Sequence, residues 1–148
     1  MSDTKAIADR FEIEALRGEY ADAAMMGDYD RLASLFTHDA LLRIPTIAEF
    51  TSREEIRAGI ERLRSNWEVF MHLVHPGTIQ VDGDTATGRT YITETGRFHD
   101  GRVHLNHSIY HDRYRRTPDG WQFTQRIYEV RYREDDGVPV DPMSAVSL

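Results

Sequence analysis

Cysteine is absent from this chain, and its absence removes disulfide frameworks, thiolate nucleophiles and cysteine-held metals at once. No apolar run is long enough to span a bilayer, and the opening residues Met1-Ser2-Asp3-Thr4-Lys5 lack the apolar core of a secretion signal. The expectation is therefore a cytoplasmic protein without membrane contact. Positive charge is also scarce: 18 Lys and Arg stand against 25 Asp and Glu, a net charge of −7, and Lys5 is the only lysine. That balance argues against a nucleic-acid partner, which needs a clustered basic surface to displace counterions. Arg113, Arg115, Arg116, Arg126, Arg131 and Arg133 do crowd the last third of the chain. Asp112, Asp119, Glu129, Glu134, Asp135 and Asp136 are interleaved with them, which predicts a solvated strand face. Gly-rich phosphate loops, a serine nucleophile elbow and a dinucleotide fingerprint are missing too, so no cofactor is expected.

What the chain does contain is enough for one core. Its 148 residues and 40% hydrophobic share fit a single domain spanning 1–148. Ile7, Phe11, Leu16, Tyr20, Ala23 and Ala24 recur at helical spacing and predict a long amphipathic helix from about Lys5 to Met26, ending before Gly27. Asp28-Tyr29-Asp30 caps a short helix carrying Leu32, Leu35 and Phe36. Residues Ala40 to Ile44 read as a strand stopped by Pro45, and Ser52 with Glu55 forms a capping box for a third helix with Ile56, Ile60 and Leu63 buried. From Trp67 the punctuation changes. Asp82-Gly83, Asp100-Gly101 and Asp119-Gly120 separate runs rich in Thr, Tyr, Val and Ile, the pattern of a meander of long antiparallel strands. The sum is an α+β domain whose curved sheet packs on N-terminal helices, with a core of about 5–133 and an irregular tail over 134–148. Tyr128, Val130 and Tyr132 add apolar surface that one layer of helices cannot cover on both faces, which predicts a homo-oligomer, a dimer or trimer joined through the outer face of the sheet.

Two residues inside the meander stand out. If Val81 and Thr85 close a three-residue loop Asp82-Gly83-Asp84, the antiparallel register sets His72 opposite Glu94, and directly opposed residues share a face. A carboxylate beside an imidazole orients the ring for acid–base work; the same pair can equally be a structural hydrogen bond. The register decides between faces. A two-residue turn would shift it by one, and a bulge at Pro76-Gly77 would turn His72 to the other side.

The order of elements, with Tyr20-Ala21-Asp22-Ala23, Leu35-Phe36-Thr37-His38-Asp39-Ala40, Asp82-Gly83-Asp84-Thr85-Ala86-Thr87-Gly88, Tyr110-His111-Asp112-Arg113-Tyr114 and Asp119-Gly120-Trp121, resembles the SnoaL-like, nuclear-transport-factor-2-like superfamily. Its fold is a cystatin-like α+β cone around an interior pocket, and the resemblance runs from about residue 5 to 133. The superfamily includes dehydratases, isomerases, polyketide cyclases, epoxide hydrolases and non-catalytic binding modules. Within it the chain is similar to bile-acid 7α-dehydratases and, more distantly, scytalone dehydratases. By that resemblance a catalytic histidine falls on His72, its acidic partner on Glu94 and a tyrosine on Tyr20, while a further acid of the first helix falls on Met25. Scytalone dehydratases place a histidine on His107. The general base of steroid isomerases would fall on Ile44, which excludes their mechanism.

The resulting candidates are His72, Glu94 and Tyr20 as catalytic residues, with Met25, His107, Arg43 and Tyr110 around the substrate. Tyr20 is either a donor to a substrate oxygen or a core tyrosine with a satisfied hydroxyl. His107 is either a second acid–base group or an exposed strand residue. His75 reads as a bulge or edge residue, and Asp22 points away from Tyr20 into solvent. His104, His107 and His111 have mixed parity along one strand, so no metal site is expected. The reading that follows is a cofactor-free lyase or isomerase acting on a small hydrophobic molecule, or else a non-catalytic binding or assembly module of the same fold.

Overall fold

Ser52 accepts a hydrogen bond from the Glu55 backbone N–H at 3.1 Å, and Asp28 accepts one from the Arg31 N–H at 3.2 Å. Both expected helix starts are thus capped, each cap satisfying a donor the first turn leaves free. The carboxylate of Glu55 turns back to the N–H of Thr51 at 2.7 Å. In the computed structural model, which describes residues 2–146, the elements run α1 (Ser2–Met26), α2 (Tyr29–Ser34), β1 (Phe36–Ile44), β2 (Ala48–Phe50), α3 (Arg53–Arg64), β3 (Trp67–Asp82), β4 (Thr85–Phe98), β5 (Val103–Thr117), β6 (Gly120–Asp135) and β7 (Val138–Val140). Met1 and the last two residues of the expected tail, 147 and 148, lie outside the described residues.

The strands form one sheet in the order β2-β1-β6-β5-β4-β3, with β7 on β6. All neighbours are antiparallel except β1 and β6, which pair in parallel. That parallel pairing sets Phe36 opposite Phe123 and draws 36–39 into β1, four residues earlier than the sequence pattern places the strand. The expected irregular tail is partly ordered: Arg133 pairs with Val140 and Asp135 with Val138.

The buried side of α1 differs from the expected stripe. Leu16, Tyr20, Ala23 and Ala24 face the sheet as predicted and Ile13 joins them, but Ile7 and Phe11 are 69% and 74% exposed. Helical geometry explains this: Phe11 is two residues from both Asp9 and Ile13, which places it on the far side of the helix. Asp9 takes the inward place. Its carboxylate accepts from Arg116 Nη1 at 2.7 Å and Nη2 at 2.9 Å, and from Trp121 Nε1 at 3.2 Å. The Arg116 bonds, with Trp121 helping against the cost of burial, hold the Asp9 carboxyl far below the ordinary carboxylate range. A depressed pKa contributes stability above the unfolded value and loses it as pH falls through the folded one. Asp9→Asn is accordingly expected to lower Tm by roughly 5 °C at pH 7. The gap to the parent should narrow in melts below about pH 4; a gap independent of pH would disprove this assignment.

Two corrections concern the last strands. Arg126 and Arg133 are buried, not part of a solvated face, as are Gln122 and Asp112. Arg126 Nε donates to Asp112 Oδ1 at 2.7 Å and Nη2 to Oδ2 at 3.1 Å. Tyr128 and Val130 line the concave side, because β6 carries one extra residue between the pairs His107 with Tyr132 and Ser108 with Val130. Of the three residues expected to cover the outer face, only Tyr132 is exposed; Val69, Met71, Leu73 and Val103 join it there.

Candidate active site

The turn between β3 and β4 has two residues, since Asp82 pairs with Thr85 and Val81 with Ala86; Gly83 takes the positive φ of 62° this tight reversal requires. Continued along the strands, that register would have set Leu73 against Glu94. One extra residue on β3, between the pairs Thr78 with Arg89 and His75 with Tyr91, moves it back by one. His72 therefore faces Glu94. The bulge also reverses the face: Ile79 points inward before it and His72 points inward after it, seven residues away. Gly77 is required there, because a Cβ would stand 1.9 Å from the carbonyl oxygen of Arg89. The carbonyl of Thr78 at the bulge accepts from Arg17 Nη2 at 2.6 Å, and that of Ile79 from Arg10 Nη1 at 2.9 Å. Two arginines of α1 thus hold the irregular backbone of β3.

Between the concave face and the helices α1 and α3 lies a pocket with a cavity volume of about 120 Å3, well above the roughly 10–15 Å3 that one water needs. His72 is 2% exposed. Its Nδ1 lies 2.9 Å from Glu94 Oε2, while Nε2 is buried without a hydrogen-bond partner. A carboxylate can only accept, so Nδ1 carries the proton; in the corresponding neutral tautomer Nε2 is a lone pair with no donor among the described residues. The other Glu94 oxygen accepts from Asn106 Nδ2 at 3.4 Å. The Asn106 amide is fixed in this orientation, because a flip would set its oxygen against the acceptor-only carboxylate of Glu94; its Oδ1 accepts from Ser108 Oγ at 2.7 Å and Tyr128 OH at 2.8 Å. Its second amide proton goes to His104 Nε2 at 3.0 Å, which leaves His104 Nδ1–H to donate to Asp135 Oδ1 at 3.0 Å.

Beside the imidazole, the hydroxyls of Tyr20 on α1 and Tyr110 on β5 are 3.1 Å apart. Whichever donates, the proton of the other remains for a third oxygen. Tyr20 meets His72 edge-on, ring centres 5.9 Å apart. Burial raises the pKa of both phenols above the ordinary value, with Arg126 opposing the shift, so they stay protonated donors through the neutral range. The Arg126 guanidinium carbon lies 4.5 Å from the Tyr20 ring centre and 3.8 Å from that of Tyr110, a buried cation beneath the two rings.

The structure brings His72, Glu94, Tyr20 and Tyr110 around one pocket. It does not bring Arg43, His107 or Met25 there. Arg43 is exposed and pairs with Glu49 at 2.7 Å, because Leu42 takes the inward position before it. His107 is exposed on the convex face, 3.2 Å from Thr93 Oγ1, one residue out of phase with Asn106 and Ser108. Met25 is half-buried, and its neighbour Ala24, one helical turn from Tyr20, lines the pocket instead. Asp22 is exposed and paired with Arg31, and His75 sits exposed beside the bulge with Nε2 2.8 Å from Thr93 Oγ1. His111 is likewise exposed, so it and His107 face away from His104. Sequence reasoning missed Asn106, Tyr128, Arg64 and the pocket-facing role of His104. Alternation back from Tyr110 at every second residue would have reached Ser108, Asn106 and His104.

Comparison with known proteins agrees with this fold. The family model of the SnoaL-like domain matches residues 5–127. An NTF2-like protein with a cystatin-like fold from Novosphingobium aromaticivorans superposes with a TM-score of 0.76 at 27% identity, covering 88% of this chain and 86% of that one. A protein of the same organism, provisionally named a scytalone dehydratase, gives 0.83 at 21% identity over 99% of this chain and 100% of the other. The hexachlorocyclohexane dehydrochlorinase LinA-type3 of Novosphingobium barchaimii LL02 gives 0.83 at 19% identity, covering 99% of each.

Proposed function

The chain belongs to the SnoaL-like family, and on that footing we propose that it is a lyase or isomerase working by acid–base chemistry on a small hydrophobic hydroxy- or keto-compound. One observation carries the proposal: His72 lines the pocket with a buried, unpartnered Nε2, while its Nδ1–H is held by Glu94 at 2.9 Å. That nitrogen removes a proton from a carbon next to an activated oxygen, and Glu94 stabilises the imidazolium that forms. The free proton of the Tyr20–Tyr110 pair hydrogen-bonds the substrate oxygen as charge builds on it. In an elimination, the C–H electron pair becomes the new double bond and the leaving oxygen departs as water with a proton returned by the imidazolium. The phenols suit hydrogen-bond donation better than proton transfer, since burial makes them weaker acids. In an isomerisation the same imidazolium returns its proton to a second carbon. The names of two structural neighbours, a dehydratase and a dehydrochlorinase, both denote eliminations.

A second reading, a non-catalytic binding module, is favoured by the helix wall. Tyr20 and Ala24 line the pocket there, and the position where the resemblance places an acid is Met25. Native mass spectrometry with extraction of the bound small molecules separates the two. The catalytic reading expects a hydroxy- or keto-compound together with its dehydrated or rearranged counterpart; a single compound returned unchanged after incubation with fresh protein would establish the binding module. Association of copies through the convex face belongs to the same proposal, supported by the exposed Val69, Met71, Leu73, Val103 and Tyr132.

A further inference from the structure

The pocket holds two guanidinium groups, and their partners differ. Arg133 is paired with Asp135 at 2.7 Å and donates to the Ser144 carbonyl at 2.6 Å. Arg64, the last residue of α3, has no carboxylate within ion-pair distance among the described residues. Its Nη1 donates to the Trp67 carbonyl at 3.0 Å, but its Nε is buried without a hydrogen-bond partner. A buried N–H of a cation left without an acceptor is costly, and such groups are commonly satisfied by a ligand. The acid of the pocket, Glu94, is engaged with His72 and Asn106 and forms no ion pair with Arg64.

Arg64 stands at a defined place relative to the chemistry. Its guanidinium carbon lies 5.0 Å from the Phe70 ring centre, and the other neighbour of Phe70 is His72, stacked at 5.9 Å. Trp67 meets the edge of the same ring at 5.2 Å. Phe70 is thus an apolar rail in contact with both the cation and the base.

Building on the acid–base reading above, we propose that the substrate is a hydrophobic carboxylic acid whose carboxylate binds Arg64 while its reacting C–H, about one aromatic ring away, faces His72. The planar fork of Nε and an Nη matches the two oxygens of a carboxylate. The fork also fixes which carbon His72 meets, since the acid end cannot slide along the rail without breaking both bonds.

The test uses 2-naphthoate and 2-naphthamide, probes of nearly the same shape that differ in charge, titrated calorimetrically into the parent, Arg64→Gln and Arg64→Lys. In the parent, naphthoate is expected to bind about tenfold tighter than the amide or more, the usual worth of a charge-assisted hydrogen bond. Arg64→Gln should abolish that preference while leaving amide affinity within about twofold, which also shows that the pocket is intact; Arg64→Lys should keep part of it. Equal binding of the two probes, naphthoate binding too weak to detect at millimolar concentration, or a preference that survives Arg64→Gln would each overturn the proposal. His72→Asn keeps the anion preference, so failure of the acid–base chemistry and failure of the carboxylate site give different results.

Discussion

His72→Asn is expected to lower kcat/KM on the extracted substrate by about 10²–10⁴-fold or more, the range in which a well-placed general base contributes, while Tm changes little. The loss should fall on kcat, because Nε2 acts on the proton only in the transition state. Asparagine suits the purpose: its amide can still donate to Glu94, so the carboxylate keeps a partner and the buried wall of β3 is not left with an empty acceptor. A variant retaining parental turnover would refute the assignment of His72 as base. A variant that merely unfolds is recognised by its melting curve, and the companion Glu94→Gln then tests the pair from the other side. Glutamine keeps the hydrogen bond to Nδ1 but lacks the charge that stabilises the imidazolium, so its turnover should lie between parent and His72→Asn.

The largest expected effect on stability lies beneath the site. Arg126→Met removes a fully buried guanidinium and leaves Asp112 as an uncompensated buried carboxylate, with the Thr90 hydroxyl at 2.6 Å and that of Tyr114 at 2.9 Å still donating to it. Breaking one partner of a buried pair costs roughly 3–5 kcal/mol, whereas replacing both by uncharged groups of similar size is often far less harmful. Arg126→Met is therefore expected to lose about that much in urea denaturation, and the double variant with Asp112→Asn to regain much of it. A single-variant loss below about 1 kcal/mol, or a double variant worse than the sum of its parts, would contradict the argument. Because Arg126 lies under the rings of Tyr20 and Tyr110, the double variant should refold with a displaced phenol pair and reduced activity. The buried charge thus links the stability of the sheet to the placement of the oxygen-binding wall.

Helices, their caps and the Asp-Gly turns of the meander were legible because each rests on a local rule: a side chain that satisfies a free N–H, a period of 3.6 or 2, a residue that tolerates positive φ. The face of α1 was less so. Ile7 and Phe11 look like core by composition, but the sheet reaches Asp9 instead, and a part-buried ion pair with Arg116 is a contact across more than a hundred residues. For the same reason Arg126 and Asp112 read as surface charges among many. Their burial depends on an extra residue in β6 between the pairs Arg113 with Gln125 and Tyr114 with Phe123, and another between His107 with Tyr132 and Ser108 with Val130, neither marked by glycine or proline.

Beside Met25, His107 and Arg43, which lie outside the pocket, the sequence named His72, Glu94, Tyr20 and Tyr110 as residues with chemistry to offer, and it specified the SnoaL-like α+β architecture. It left their meeting undecided, since both the two-residue turn and the bulge at Pro76-Gly77 were available, and either one alone would separate His72 from Glu94. The tertiary structure contains both, and they cancel. Strand register and facing change by whole residues, so two local irregularities restore a pairing that one destroys. The deciding contacts come from another element: α1 supplies Arg17 to the carbonyl of Thr78 and Arg10 to that of Ile79, and so holds the bulge that turns the imidazole toward the pocket.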